Sequence, residues 1–306
     1  MSKITQALEK AARERLQREK EQVTVAAKET TIPLAASALS DIASAGEIQI
    51  DSHIVGATDS QSPIAEQYRI LRTNLQSLRF QSSPKAIVIT SSVHGEGKSV
   101  TALNLALAFS RQENLRVVLV DGDLRKGTIW KWLGLPERSD GLASVLQSGG
   151  QLNGSLVRLH QPPLTILPAG LAPEHPAELL ESSSMKRLIG TLKAQFDLVL
   201  IDSPPVLPVS DPGILASQVD GVLFVVRAGR TQRKTVIQAQ NLLKQMKATF
   251  LGCVLTHVEY YLPGYYRYYQ YRYGSKEQTS GKGVKDGGTG QETGGEGRQK
   301  VQRNTG

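Results

Sequence analysis

One cysteine, Cys253, is all that this 306-residue chain carries. A lone thiol closes no internal disulfide and cannot build a cysteine-based metal site, which excludes a disulfide-stapled secreted scaffold. Its setting in the apolar run Phe250 to Leu255 predicts a core position in a reducing cytoplasm. Long apolar runs are missing as well. Stretches such as Arg116 to Val120 and Val222 to Val226 fall far short of the roughly 20 residues that cross a bilayer. The start, Met-Ser-Lys, runs into mixed charge without the apolar segment of a secretory signal, so a cytoplasmic protein is expected. Aromatic residues are scarce at 5%, yet eight of the nine tyrosines lie between Tyr260 and Tyr273. The net charge of +8 is spread over head, middle and tail rather than gathered into a patch. Diffuse basicity does not define a nucleic-acid or anionic-membrane surface. Arg267 to Tyr273 does interleave arginine with tyrosine as a single-strand stacking platform would, but nucleic acid is not the expected partner.

What is present falls into five segments. Residues 1–20 carry Ile4, Leu8, Ala11, Ala12 and Leu16 among alternating charges, the spacing of an amphipathic helix with a narrow apolar stripe. Residues 21–62, rich in Ala, Ser, Thr and Asp without sustained periodicity, read as a linker. Residues 63–258 alternate β-branched runs with helical stretches. Strands are expected at Ala86 to Thr90, Arg116 to Asp121, Leu164 to Pro168, Asp197 to Asp202, Gly221 to Arg227 and Phe250 to Thr256. Helices are expected at Lys98 to Gln112, Ala177 to Ala194 and Thr231 to Lys247. Continuous apolar strands separated by helices predict an α/β domain with a mostly parallel sheet covered on both faces. The tyrosine cluster, 259–274, and a Gly, Lys, Gln and Thr-rich tail, 275–306, expected to be disordered, complete the chain.

The first strand leads into Ser91-Ser92-Val93-His94-Gly95-Glu96-Gly97-Lys98-Ser99-Val100 and then a helix. Strand, glycine-permissive turn and helix N-terminus make a P-loop: successive N–H groups point inward and the helix dipole favours negative charge. Residues Val93, His94, Gly95, Glu96, Gly97, Lys98, Ser99 and Val100 are therefore expected around the phosphates of ATP. Lys98 would reach the β- and γ-phosphates and the Ser99 hydroxyl would bind Mg²⁺. Ser92 stands where the motif usually begins with Gly or Ala.

Two more apolar strands end in carboxylates, Val117 to Asp121 followed by Gly122-Asp123, and Leu198 to Asp202. Ligands of an open parallel sheet bind beyond the carboxyl ends of its strands, where these acids would gather. Mg²⁺ takes hard oxygen donors and keeps water, so Asp121 and Asp202, with Ser99, are the expected metal residues. Asp123, two residues on, is a proton acceptor or further metal contact.

With these residues in view the chain resembles the bacterial tyrosine autokinases of exopolysaccharide and capsule synthesis, the BY-kinases, over most of Ser62 to Tyr273. The resemblance is carried by the P-loop Gly95 to Ser99, by Asp121-Gly122-Asp123-Leu124-Arg125 and by Ile201-Asp202-Ser203-Pro204-Pro205. Leu167 to Gly170 and Pro176 to Leu180 add to it. Glu66, Arg69 and Arg72 repeat the family's Glu-x-x-Arg-x-x-Arg spacing, which puts all three on one helix face. Spacing alone reads as an intrahelical charge cluster; the resemblance implies contact with the next subunit of a ring. The head, Met1 to Ala11, resembles stand-alone kinases that work beside a separate membrane chain-length protein, of the EpsG-like and exosortase-associated types. His94 and Gly127 stand where the family commonly has proline.

The resemblance implies a protein-tyrosine kinase of the P-loop fold, related to the MinD and ParA group. Its catalytic residues would be Lys98, Asp121, Asp123 and Asp202, with Asp123 taking the tyrosine proton. Its acceptors would be Tyr260, Tyr261, Tyr265, Tyr266, Tyr268, Tyr269, Tyr271 and Tyr273, phosphorylated in trans within a homo-oligomeric ring that the added charge loosens. Implied partners are a membrane polysaccharide co-polymerase that recruits the kinase to the inner face of the cell membrane, and a protein-tyrosine phosphatase. The alternative is a ParA- or MinD-like ATPase switch that positions DNA or cargo. Such proteins carry a second lysine early in the P-loop, where this chain has Val93.

Overall fold

Three strands are buried at every residue: β2 (Ala86–Ser91), β3 (Val117–Asp121) and β6 (Leu198–Asp202). Such strands require cover on both faces, because alternate side chains leave the sheet in opposite directions. In the computed structural model, which describes residues 39–41, 49–78, 85–152, 154–160 and 163–258, that cover is helical. Among the described residues the sheet has eight strands in the order β1-β4-β5-β3-β6-β2-β7-β8. The others are β1 (Leu39–Asp41), β4 (Leu156–His160), β5 (Pro163–Leu167), β7 (Gly221–Arg227) and β8 (Phe250–Thr256). All pairings are parallel except the β4–β5 hairpin, so β4 and β1 run against the rest.

On one face Ile87, Ile89, Leu119 and Leu200 pack with α1 (Val55–Thr58), α2 (Pro63–Ser77), α3 (Lys98–Ser110) and α4 (Ile129–Trp132). On the other, Val88, Val118, Val120, Val199 and Ile201 pack with α5 (Leu142–Gln147), α6 (Pro176–Glu181), α7 (Ser183–Gln195), α8 (Asp211–Ala216) and α9 (Arg233–Gln245). Every residue of α3 from Thr101 to Phe109 is buried, since α3 lies between the sheet and the outer helices α1 and α2. The strand expectations hold to within a residue or two. The single helix expected from Ala177 to Ala194 is two, broken at Ser182, whose extended backbone (ψ 157°) ends α6 while its hydroxyl caps α7 by accepting from Met185 N–H. Serine side chains compete for backbone donors and so favour helix ends over interiors.

Two sequence readings need correction. The segment read as a linker is in part structured: β1 joins the sheet edge, and residues 49–62 are packed onto the domain. Ile54 is fully buried, Gly56 N–H donates to Asn104 Oδ1 at 2.8 Å, and Asn104 Nδ2 returns a bond to the His53 carbonyl at 2.9 Å. A short segment of this kind has one anchor and no periodicity, so its composition resembles a loop. Cys253, expected in the core, is exposed, as are Gly252 and Leu255. Among the described residues the apolar run is an edge strand, β8, with a strand neighbour on one side only. The expected helix of residues 1–20 and the tail 275–306 lie outside the described residues. Ile54→Ala should lower unfolding free energy by about 2–5 kcal/mol in urea titrations. A loss near zero would mean that 49–62 does not belong to the core.

Candidate functional site

The P-loop begins where β2 ends and closes with Gly95 (φ 80°) and Gly97 (φ 92°), both in the left-handed region that glycine tolerates without Cβ strain. Gly97 is the N-cap of α3, which places the first N–H groups of a mostly buried helix at the loop's mouth. Val93, His94 and Gly95 line the exposed rim, whereas Glu96 is buried. Its carboxylate accepts from Val93 N–H at 2.8 Å and from the Thr231 hydroxyl, and Thr256 donates its hydroxyl to the Glu96 carbonyl at 2.8 Å. Glu96 therefore braces the loop against β7 and the turn after it through its side chain, and against β8 through its backbone carbonyl. Only its backbone remains for a phosphate. Thr231 and Thr256 went unnoticed in the sequence because hydroxyls at strand ends carry no motif.

Register brings the acids together. Asp121 is the Cα partner of Asp202 across β3 and β6, and Asp202 is the partner of Ile89 across β6 and β2, so both carboxylates stand level with the root of the P-loop. The backbone past β6 is strapped to β2: Val206 N–H donates to the Ser91 carbonyl at 2.8 Å, Leu207 N–H to the Ser92 carbonyl at 3.2 Å, and the Thr90 hydroxyl to the Pro204 carbonyl at 2.8 Å. Lys98 Nζ lies 3.2 Å from Asp123 Oδ2, 3.7 Å from Asp202 Oδ2 and 3.2 Å from Ser99 Oγ. Lys98, Ser99, Asp121, Asp123 and Asp202 thus form one cluster, as expected.

Asp121, Asp123 and Asp202 are at most 3% exposed. Burial pushes the Asp121 carboxyl up to about 7, reinforced by the charge of Asp202 and opposed by the Ile129 N–H, which donates to Asp121 Oδ2 at 3.1 Å. Burial also raises Asp202, against the pull of Lys98. For Lys98 burial opposes the charged form, but Asp202 and Asp123 outweigh it and raise the ammonium's pKa. Gly127 adds to this enclosure, because a Cβ there would stand 2.5 Å from Ala169 Cβ and 3.0 Å from Asp121 Oδ2. Ala169 closes over Asp121 in the space that a larger residue would take.

Three buried carboxylates face one lysine, so the cluster is short of positive charge. Neither Asp202 oxygen has a hydrogen-bond partner, although both are buried. Among the described residues no three His, Cys, Asp or Glu side chains could hold a metal alone. That suits Mg²⁺, which takes one or two carboxylates and completes its shell with phosphate oxygens and water. Asp202, Asp121 and Ser99 fit such an ion.

Glu66, Arg69 and Arg72 lie on α2, where each arginine has a partner within the chain. Arg69 pairs with Glu66 at 2.5 Å and donates to the Ser60 carbonyl at 2.8 Å, and Arg72 donates to the Ala108 carbonyl at 2.8 Å. None of the three belongs to the cluster around Lys98. The eight clustered tyrosines lie outside the described residues.

A group whose folded pKa is raised favours the folded state most below its unfolded value and loses that contribution as pH rises through the folded value. For Asp121 the window runs from about 4 to about 7. The lowered carboxyls of Asp197 and Asp220 act only below that window. The melting temperature of the metal- and nucleotide-free chain should therefore fall between about pH 5 and pH 7.5, and Asp121→Asn should flatten that fall. A wild-type profile that rises across this range would contradict the assignment.

Residues 84–251 match the family described as an AAA domain. The tyrosine-protein kinase YwqD of Bacillus subtilis is 36% identical over 224 residues, 71% of this chain and 92% of that protein. Among solved structures, the chimerical protein CapA2B2 superposes with a TM-score of 0.63 at 33% identity, over 69% of this chain and 92% of its own. The kinase domain of the Escherichia coli tyrosine kinase ETK gives 0.63 at 26% identity, over 66% and 78% respectively. Among the described residues no helix is long and apolar enough to cross a membrane.

Proposed function

This chain belongs to the bacterial tyrosine-protein kinases, and from that premise we propose that it transfers the γ-phosphoryl group of ATP to tyrosines of its own cluster, Tyr260 to Tyr273. The observation that carries the reading is Lys98 at the head of a P-loop helix with Asp123 at 3.2 Å and Asp202 at 3.7 Å, in a chain whose tyrosines follow the adjacent sheet edge. Backbone N–H groups from His94 to Val100 cradle the phosphates, with Val93, whose own N–H is given to Glu96, at the rim, and Lys98 neutralises charge on the β- and γ-oxygens. Ser99, Asp202 and Asp121 would hold Mg²⁺, which would supply the positive charge that the cluster lacks. Asp123 accepts the proton of the attacking phenol, whose ordinary pKa near 10 makes it a poor nucleophile. The new bond joins tyrosine Oη to the γ-phosphorus, the bond to the β–γ bridging oxygen breaks, and ADP leaves with that electron pair.

Transfer runs in trans, inside a ring whose subunits meet through the α2 face bearing Glu66, Arg69 and Arg72. Phosphate charge on the tyrosines then loosens the ring by repulsion. The setting is the control of exopolysaccharide polymerisation, export and chain length, with the chain cytoplasmic and brought to the membrane by a polysaccharide co-polymerase. A protein-tyrosine phosphatase resets it. One observation favours a second reading, transfer in cis. Parallel β8 ends on the same side as β2, two strand spacings or about 10 Å away, and its last residue, Thr256, touches the P-loop carbonyl of Glu96. Thr256, four residues before Tyr260 in the chain, therefore lies beside its own nucleotide site.

Mixing full-length Lys98→Met chains with active chains truncated after Glu259, in Mg²⁺ and γ-labelled ATP, separates the two. Trans transfer puts label on Tyr260 to Tyr273 of the inactive chain. An unlabelled inactive chain beside self-labelling wild type establishes cis transfer, and phosphate release with no tyrosine label in wild type establishes an ATPase switch instead. Asp123→Asn should slow transfer by roughly 10²- to 10⁴-fold while nucleotide affinity, measured by direct titration, holds.

A further inference from the structure

Resting on the kinase reading above, we infer that Arg125 and Asp211 form a positioning pair that sets where the Asp123 carboxylate stands relative to Lys98. Arg125 Nε donates to Asp211 Oδ2 at 2.8 Å and Nη2 donates to Oδ1 at 3.0 Å, the two-bond fork that a guanidinium makes with a carboxylate. Asp211 is fully buried at the first residue of α8, whereas the Arg125 side chain is 39% exposed. The pair thus reaches from the loop after β3 into the protein and holds it there.

The loop is fastened at both ends of the residue that matters. On the near side Gly122 N–H donates to the Asp202 carbonyl at 2.8 Å. On the far side stands Arg125, two residues beyond Asp123. Between them, Asp123 Oδ1 accepts from Lys126 N–H at 3.0 Å and Oδ2 faces Lys98 Nζ. Asp211 opens α8 four residues after Leu207, where the strap that leaves Asp202 bonds to the Ser91 and Ser92 carbonyls. Chain connectivity and contacts together make a circuit: Asp202, strap and Asp211 along the chain, the Asp211–Arg125 fork, Arg125 to Asp123 along the chain, then Lys98 and back to Asp202. Arg125 touches no reacting group. Its effect passes through the loop geometry, and a misplacement of the order of 1 Å is enough to cost roughly 10²-fold in rate. Lysine cannot substitute, because an ammonium offers no planar fork.

The test uses the full-length chain with Mg²⁺ and ATP, comparing wild type, Arg125→Gln, Arg125→Lys and Asp211→Asn. Four quantities are read: kcat for tyrosine labelling, the dissociation constant for Mg²⁺·ADP, amide hydrogen exchange across residues 121–128, and Tm. Arg125→Gln and Asp211→Asn should lower kcat by roughly 10- to 100-fold with nucleotide affinity unchanged, and exchange should rise at 121–128. Arg125→Lys retains the charge and guards against simple unfolding. It should lower kcat as well, with Tm near wild type. The inference is overturned if Arg125→Lys keeps full kcat, or if kcat, nucleotide affinity and Tm fall together in Arg125→Gln while exchange rises throughout the domain. Should wild type give no tyrosine label, the kinase reading fails, and the exchange comparison alone decides the pair: a rise confined to 121–128 supports it and no change refutes it.

Discussion

Burying Asp121, Asp123 and Asp202 around a single lysine is the arrangement on which the rest of this structure depends. Ionised carboxylates withdrawn from water are costly unless paired, and here the pairing is deliberately incomplete. The sheet absorbs that cost. Six parallel strands put β2, β3 and β6 side by side, fully buried, so the positions of Asp121 and Asp202 are fixed by ladder register rather than by loop conformation. The deficit of positive charge that remains is what a metal-bound triphosphate would relieve. It appears in the free chain as an Asp121 carboxyl raised to about 7 and as Asp202 oxygens without hydrogen-bond partners.

A charge cluster of this kind works only if its walls do not relax, and the walls are tied to one another. Glu96 braces the P-loop against the Thr231 hydroxyl while Thr256 holds the Glu96 carbonyl. The segment after Asp202 is bonded to the Ser91 and Ser92 carbonyls. The two Walker segments are therefore not independent loops that happen to meet. A displacement of the strap would move the root of the P-loop and, through Asp211, the loop that carries Asp123. Preorganised charge of this kind needs no rearrangement at the moment of phosphoryl transfer, which is where electrostatic catalysis gains its rate.

Much of this was legible in the sequence because the informative residues are local. β3 and β6 each end in their own carboxylate, and the glycines and Lys98 of the P-loop follow β2 directly, so periodicity and motif agree. What escaped reading is what only the third dimension joins. Asp211 reads as an ordinary helix-start aspartate before Pro212, and nothing across the 86-residue separation links it to Arg125. Ile54 belongs to a short apolar pair with Val55 among polar residues, and Asn104 of α3 holds His53 and Gly56 on either side of it. Cys253 failed in the opposite way. Its apolar neighbours are real, but edge position decides exposure and composition does not encode it.

The same scaffold could serve an ATPase switch, so the fold does not decide the chemistry. The P-loop rim does more to separate the two. At the position where a switch ATPase carries its second lysine stands Val93, partly exposed and with its N–H given to Glu96. Arginines stand at that rim instead: Arg227 Nη1 donates to the Gly95 carbonyl at 3.4 Å, and Arg230 lies beside Gly95. The site also offers Asp123, a carboxylate held beside Lys98 by the loop rather than by the strand. An attacking hydroxyl, whether of water or of a phenol, is helped by a base whose position is held, and the Asp123 loop is fastened at Gly122 and at Arg125.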